Sequence, residues 1–149
     1  MDKPLTKWYC DVCGDAIETA GEAYVVWKSV EMRAQHFRIV HRTKCDKDKS
    51  FTASGPLEQF VGPRGLAYCL SFLSIGPVKK LIGQGSHCEA ADLDEFVDFM
   101  RRVQTPFYEE ARRLFKDRDF LDDWYDANEV LPYLPDELVK IIEKYSAHK

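Results

Sequence analysis

Two periods alternate along the chain. Ala23–Val30 (AYVVWKSV) is dense in Val, Tyr and Trp, which predicts a strand. A polar connector, Glu31–Ala34, leads to a second strand over Gln35–His41, with Phe37, Ile39 and His41 on one face and His36 and Arg38 on the other. Asp46–Gly55 is polar and reads as a linker. From Pro56 the spacing becomes helical. Pro56–Val61 suits one short helical turn, and Pro63 opens a helix striped by Leu66, Cys69, Leu70 and Leu73. Gly76-Pro77 is expected to stop it, leaving Val78–Ile82 as a short strand or helical turn and Gly83–Ala91 as a loop. Asp92 and Glu95 form a capping-box-like start for a helix striped by Leu93, Phe96, Val97, Met100 and Val103. Thr105-Pro106 signals another helical start, continued by Phe107, Ala111, Leu114 and Phe115. Asp119 is placed as the cap of a short helix running to Ala127, and Pro135 opens a last one striped by Leu138, Ile141, Ile142 and Tyr145.

Candidate chemistry concentrates at the start. Cys10 and Cys13 form a C-x2-C pair, and His41 and Cys45 an H-x3-C pair, with 27 residues between the pairs. Zinc takes thiolate and imidazole ligands at about 2.0–2.3 Å, and a C-x2-C turn presents two sulfurs together. Four protein ligands close the coordination sphere, so Cys3His implies one structural zinc. Gly14, just after the second cysteine, supplies the backbone freedom such a knuckle needs. Two other readings compete: a Cys10/Cys13 redox pair, which normally opens a helix, and His36 in place of His41 as ligand, which sits on the opposite strand face.

Residues 8–45 resemble treble-clef and zinc-ribbon modules, including the LIM type, whose ligands follow a C-x2-C…H-x2-C plan. The resemblance covers about a quarter of the chain. This sequence has a longer inner gap and one more residue in the second pair. The resemblance implies a zinc-held interaction module with Cys10, Cys13, His41 and Cys45 as ligands.

Charge then divides the chain. The formal net charge is −4 over 149 residues; residues 1–50 carry +1, 51–90 carry +1 and 91–149 carry −6. Arg33, Arg38, Arg42 and Lys44 cluster around the second strand among the aromatics Trp8, Tyr24, Trp27 and Phe37, a pattern that grips phosphates and stacks bases or simply solvates a hairpin. Asp117, Asp119, Asp122, Asp123, Asp126 and Glu129 surround Trp124 and Tyr125, which makes those two rings candidates for protein contact. Cys69 reads as a small core residue, and the adjacent His87-Cys88 is weak as a catalytic dyad. Gly83-Gln84-Gly85 makes no nucleotide fingerprint. The D-K-D-K start at Asp46 lacks the Gly and Glu of a calcium loop. Metalloprotease, hydrolase-elbow, phosphate-loop and deaminase motifs do not occur.

With no apolar leader and five cysteines, the chain reads as cytoplasmic, using thiols for metal rather than disulfides and making no membrane contact. The expected class is α+β: a small zinc-held β-hairpin module over residues 1–50, then a mainly α-helical part over 51–149. The expected function is a non-catalytic regulator or adaptor. Its zinc module contacts nucleic acid or protein, and its acidic helices bind a protein partner or self-associate. The alternative is a metal-dependent hydrolase with its site in the helical part.

Overall fold

The computed structural model describes residues 7–83 and 88–146. Gln84, Gly85 and His87, and with them part of the glycine pair and of the His-Cys pair, lie outside the described residues.

The chain is α+β. A two-stranded hairpin pairs β1 (Trp8–Tyr9) with β2 (Ala16–Ile17). A three-stranded antiparallel sheet has the order β4-β3-β5, from β3 (Ala23–Val30), β4 (Arg33–His41) and β5 (Ala53–Pro56). The strand over Ala23–Val30 matches the expected span. Glu31 and Met32 form the two-residue turn to β4, both at positive φ (50° and 65°), the backbone that matches strand twist in a tight hairpin. The pairing shifts between Val26 and Lys28 opposite His36, whose φ is 60°; this bulge bends the strand beneath the helices.

The outer edge of β4 is closed. Ala34 pairs with the segment at Ala90, the His36 amide donates to the Glu95 carboxylate, and the Ile39 amide donates to Asp11. Glu95 thus serves β4 as well as standing in the first turn of α3 (Leu93–Gln104), while Asp92 caps that helix by accepting from the Glu95 amide.

One hydrophobic cluster runs from Trp8 through Val25, Phe37 and Ile39 to Leu57, Phe60, Phe96, Phe99 and Val103, joining residues on both sides of residue 50. Phe37 stacks on Trp27 with ring centroids 5.5 Å apart and on Phe99 at 5.0 Å. A second cluster gathers Tyr108, Ala111, Leu114, Phe120, Leu138, Ile141 and Tyr145, contributed by α4 (Tyr108–Arg112), α5 (Arg118–Asp123) and α6 (Pro135–Tyr145) with the segment between α4 and α5.

Several expectations change. Asp46–Gly55 is no simple linker: its end forms β5, which covers the second edge of β3. In α1 (Gly62–Ser71), Leu66 and Leu70 are exposed, while Gly65 and Cys69 face the core, because the turn Leu57–Phe60 packs along that side. Gly76-Pro77 opens α2 (Gly76–Leu81) instead of ending α1, which has already stopped at Ser71; Pro77 fills a first-turn position, where its missing N–H costs nothing. In α3 the buried residues are Phe96, Phe99, Arg102 and Val103, whereas Leu93 is 61% exposed in the first turn. Thr105 ends α3, and Phe107, at φ 69°, turns the chain into α4. Asp117, rather than Asp119, caps α5, which ends at Asp123.

Candidate metal centre

The knuckle is built by backbone. The Gly14 amide donates to the Cys10 carbonyl at 3.0 Å, with Gly14 at φ 81°, a conformation that glycine adopts without side-chain strain. The Cys10 amide donates to the Asp15 carbonyl at 3.0 Å, and the Val12 amide points at the Cys10 sulfur at 3.4 Å. The second pair sits where β4 ends. The Cys45 amide donates back to the His41 carbonyl at 3.2 Å, Thr43 takes φ 66°, and the Thr43 amide donates to Asp46. This closed turn accounts for the three residues between the ligands: it brings residue 45 back over residue 41. No helix starts at Cys45, in contrast to a treble clef.

Together the two turns place one ligand atom each from Cys10, Cys13, His41 and Cys45 within 4.8 Å of one another. His41 Nδ1 is 3.4 Å from the Cys13 sulfur and 3.8 Å from the Cys45 sulfur. His41 Nε2 faces the Ala16 carbonyl at 3.2 Å. With the proton on Nε2, that bond fixes the ring and turns the Nδ1 lone pair toward the sulfurs, the outer-shell arrangement that orients metal-bound imidazoles. His36, the competing ligand, lies at the bulge beside Glu95.

The thiols are not equivalent. Burial pushes the Cys10 thiol up, but the amides of Cys13, His41 and Val12 and the Cys45 thiol outweigh it and bring Cys10 down to about 6. Burial, then the neighbouring Cys10 and Cys13, pushes Cys45 up to about 11. The neighbouring sulfurs thus oppose ionisation of Cys45, and a divalent cation among them would offset that repulsion. Three sulfurs and one imidazole nitrogen are a soft donor set of four, which fits zinc.

Sequence reasoning missed what anchors the knuckle. Arg102 is 3% exposed, and its guanidinium meets both Glu109 oxygens at 2.7 Å, Asp11 at 2.7 Å and the Tyr9 carbonyl at 3.2 Å. Glu109 also accepts from the Tyr9 amide at 3.0 Å, and Trp8 Nε1 donates to the Arg102 carbonyl at 3.0 Å. Burial alone would lower the Arg102 pKa; Glu109 and Asp11 hold it well above the usual value. Asp11 lies between Cys10 and Cys13, so α3 and α4 grip the metal loop itself. The available signal was a charge on an apolar face: Arg102 falls on the same side of its helix as Phe99 and Val103.

The other candidates lie outside this centre. Arg38 lies over the Phe51 ring at 4.8 Å and Arg42 over Tyr24 at 4.9 Å; Arg33 is exposed at the start of β4, and Lys44 is exposed 3.7 Å from Asp15. Trp8, Trp27 and Phe37 are core residues, which removes them from any stacking surface. Trp124 packs on Phe120 at the margin of the second cluster, whereas Tyr125 is 86% exposed. Cys69 is fully buried, and burial pushes its thiol up to about 11. No described helix is long and apolar enough to cross a membrane. Compared with family models, curated proteins and solved structures, the chain gives no match, so the reading of the site rests on its own geometry.

Proposed function

We propose that this chain is a non-catalytic binding protein, a regulator or adaptor whose N-terminal sheet is held by one structural zinc and contacts a macromolecule. The observation that carries this is the closed donor set: Cys10, Cys13, His41 and Cys45 converge within 4.8 Å and leave a tetrahedral ion no open position for substrate. The metal's work is then to fix shape. It pins the exit of β4 to the knuckle, and Arg102 pins the knuckle to the helices. The acidic region around Trp124 and Tyr125 supplies a second, protein-directed surface, its charge steering basic partners. Five free thiols suit a reducing, cytoplasmic setting.

Elemental analysis of protein purified without chelator is expected to give one zinc per chain, and Cys10→Ser or Cys45→Ser to abolish it and unfold the hairpin, because site assembly is coupled to folding. Metal content near zero overturns the proposal. A second, exchangeable metal required for turnover would support a metal-dependent hydrolase instead.

A further inference from the structure

The face of the sheet turned away from the helices carries a cavity of about 120 Å³. Tyr24 and Val26 of β3 are in register with Val40 and Arg38 of β4, and Val26 also with Ser54 of β5. The loop after Cys45 folds back over this face, so that Asp46, Asp48 and Phe51 supply the opposite wall, with Cys45 itself part of the lining. The floor is apolar, with Val26 and Val40 buried. Around it are three ring–cation contacts: Arg38 and Lys28 lie 4.8 and 5.1 Å from the Phe51 ring centroid, and Arg42 lies 4.9 Å from that of Tyr24. Arg42 is further fixed by bonds to the Gly21 carbonyl at 3.1 Å and the Tyr24 hydroxyl at 3.4 Å.

Size and charge define the occupant. A cavity of about 150 Å³ holds one benzene ring, so this smaller one, of about 120 Å³, admits no more than a single six-membered ring. The charged residues of the lining are Arg38, Asp46 and Asp48, and two further cations, Lys28 and Arg42, stand against the Phe51 and Tyr24 rings that wall it. A planar ring attached to an anionic backbone is the chemistry that meets both conditions. Rings and guanidinium planes are the surfaces on which unpaired bases stack, and Lys and Arg beside them track the phosphates. The Asp46 and Asp48 carboxylates and the Ser54 hydroxyl are of the kind that bond base N–H and carbonyl groups.

We propose that this face binds single-stranded nucleic acid, with one base in the cavity and the flanking phosphates on Lys28, Arg38 and Arg42. The inference rests on the zinc-held reading above, because Cys45 is both metal ligand and cavity wall. Metal loss should therefore dismantle the base site.

The test is fluorescence anisotropy of a short labelled oligo(dT) with the full, zinc-loaded chain at low salt, beside a duplex of equal length. Binding is expected to favour the single strand and to weaken with salt. Arg38→Ala and Lys28→Ala should each flatten the salt slope by about 0.7, one phosphate contact. Phe51→Ala should weaken binding roughly tenfold or more. Ser54→Phe fills the cavity from an exposed strand position without touching a charge, and should weaken binding similarly while zinc content stays at one per chain. Equal affinity for duplex and single strand, with Phe51→Ala and Ser54→Phe both silent, would reduce the contact to charge alone and overturn the proposal. No oligonucleotide affinity, with one zinc bound and a partner protein captured even after nuclease treatment, also overturns it and leaves the zinc-held reading standing.

Discussion

Arg102 is the residue on which the Tyr9–Asp11 segment meets α3 and α4. It is a charge in the core, tolerated because Glu109, Asp11 and the Tyr9 carbonyl take up its donors in the plane of the guanidinium. Removing the guanidinium strands the Glu109 carboxylate, which is buried, whereas Asp11 still reaches solvent. Arg102→Ala is therefore expected to cost about 3–5 kcal/mol, because Glu109 is left as an uncompensated buried charge. Arg102→Lys should rescue little of that, since one ammonium cannot replace a fork that bonds two carboxylates at once. Denaturant unfolding of the two variants checks both expectations. A loss below about 1 kcal/mol for Arg102→Ala would show that water enters and solvates the carboxylates.

At the scale of elements, α1 shows how a contact surface overrides a stripe. Leucines at 66 and 70 suggest one buried face, yet the helix presents Gly65 and Cys69 inward because the Leu57–Phe60 turn runs close beside it. A Cβ added at Gly65 would lie 2.1 Å from the Phe60 carbonyl carbon and 2.4 Å from its oxygen. Backbone cannot step aside as a flexible side chain does. Gly65→Ala is expected to destabilise by about 2 kcal/mol or more, although alanine is the better helix former. The thermal midpoint checks this, and an unchanged or higher midpoint would mean that the turn and α1 separate at little cost. Leu66→Ala and Leu70→Ala, on the exposed side, should be much milder.

For the whole molecule, the division proposed at residue 50 has a direct test. The 1–50 segment carries all four candidate ligands, so the isolated peptide is expected to bind one zinc. The apolar face of β3 and β4 is covered by Leu57, Phe60, Phe96 and Phe99, which the peptide lacks, so its thermal unfolding should be broad. A sharp transition in the zinc-bound peptide would support two independent units. The acidic end has a second test. Tyr125→Ala should leave the midpoint within a degree or so, because the ring is 86% exposed, and should weaken partner capture or self-association if this surface docks protein. Trp124→Ala should lower the midpoint, at a cost of about 2 kcal/mol, because the indole packs on Phe120 at the core margin. Unchanged association in both variants would remove this region from the interaction surfaces.

Strand parity was enough to favour His41 over His36 in the sequence, and the ligand quartet followed from two short spacings. The span Ala23–Val30, the Asp92 cap and the Leu138–Ile141–Tyr145 stripe of α6 were equally legible, since each depends on neighbours within one or two turns of the chain. What needed the tertiary structure were features defined by distant partners. The end of a polar loop becomes β5 because β3 has an open edge to fill, and that edge belongs to residues about 30 positions away. The inward side of α1 is chosen by a turn that no period encodes. Arg102 enters the core because Asp11 arrives from 91 residues earlier to meet it. The sequence by itself thus determined the Cys3His grouping and most regular elements, where the energetics are local. Only the fold decided which faces are buried and how the metal loop is anchored, because desolvation is settled by whatever packs against a surface and not by the residues that compose it.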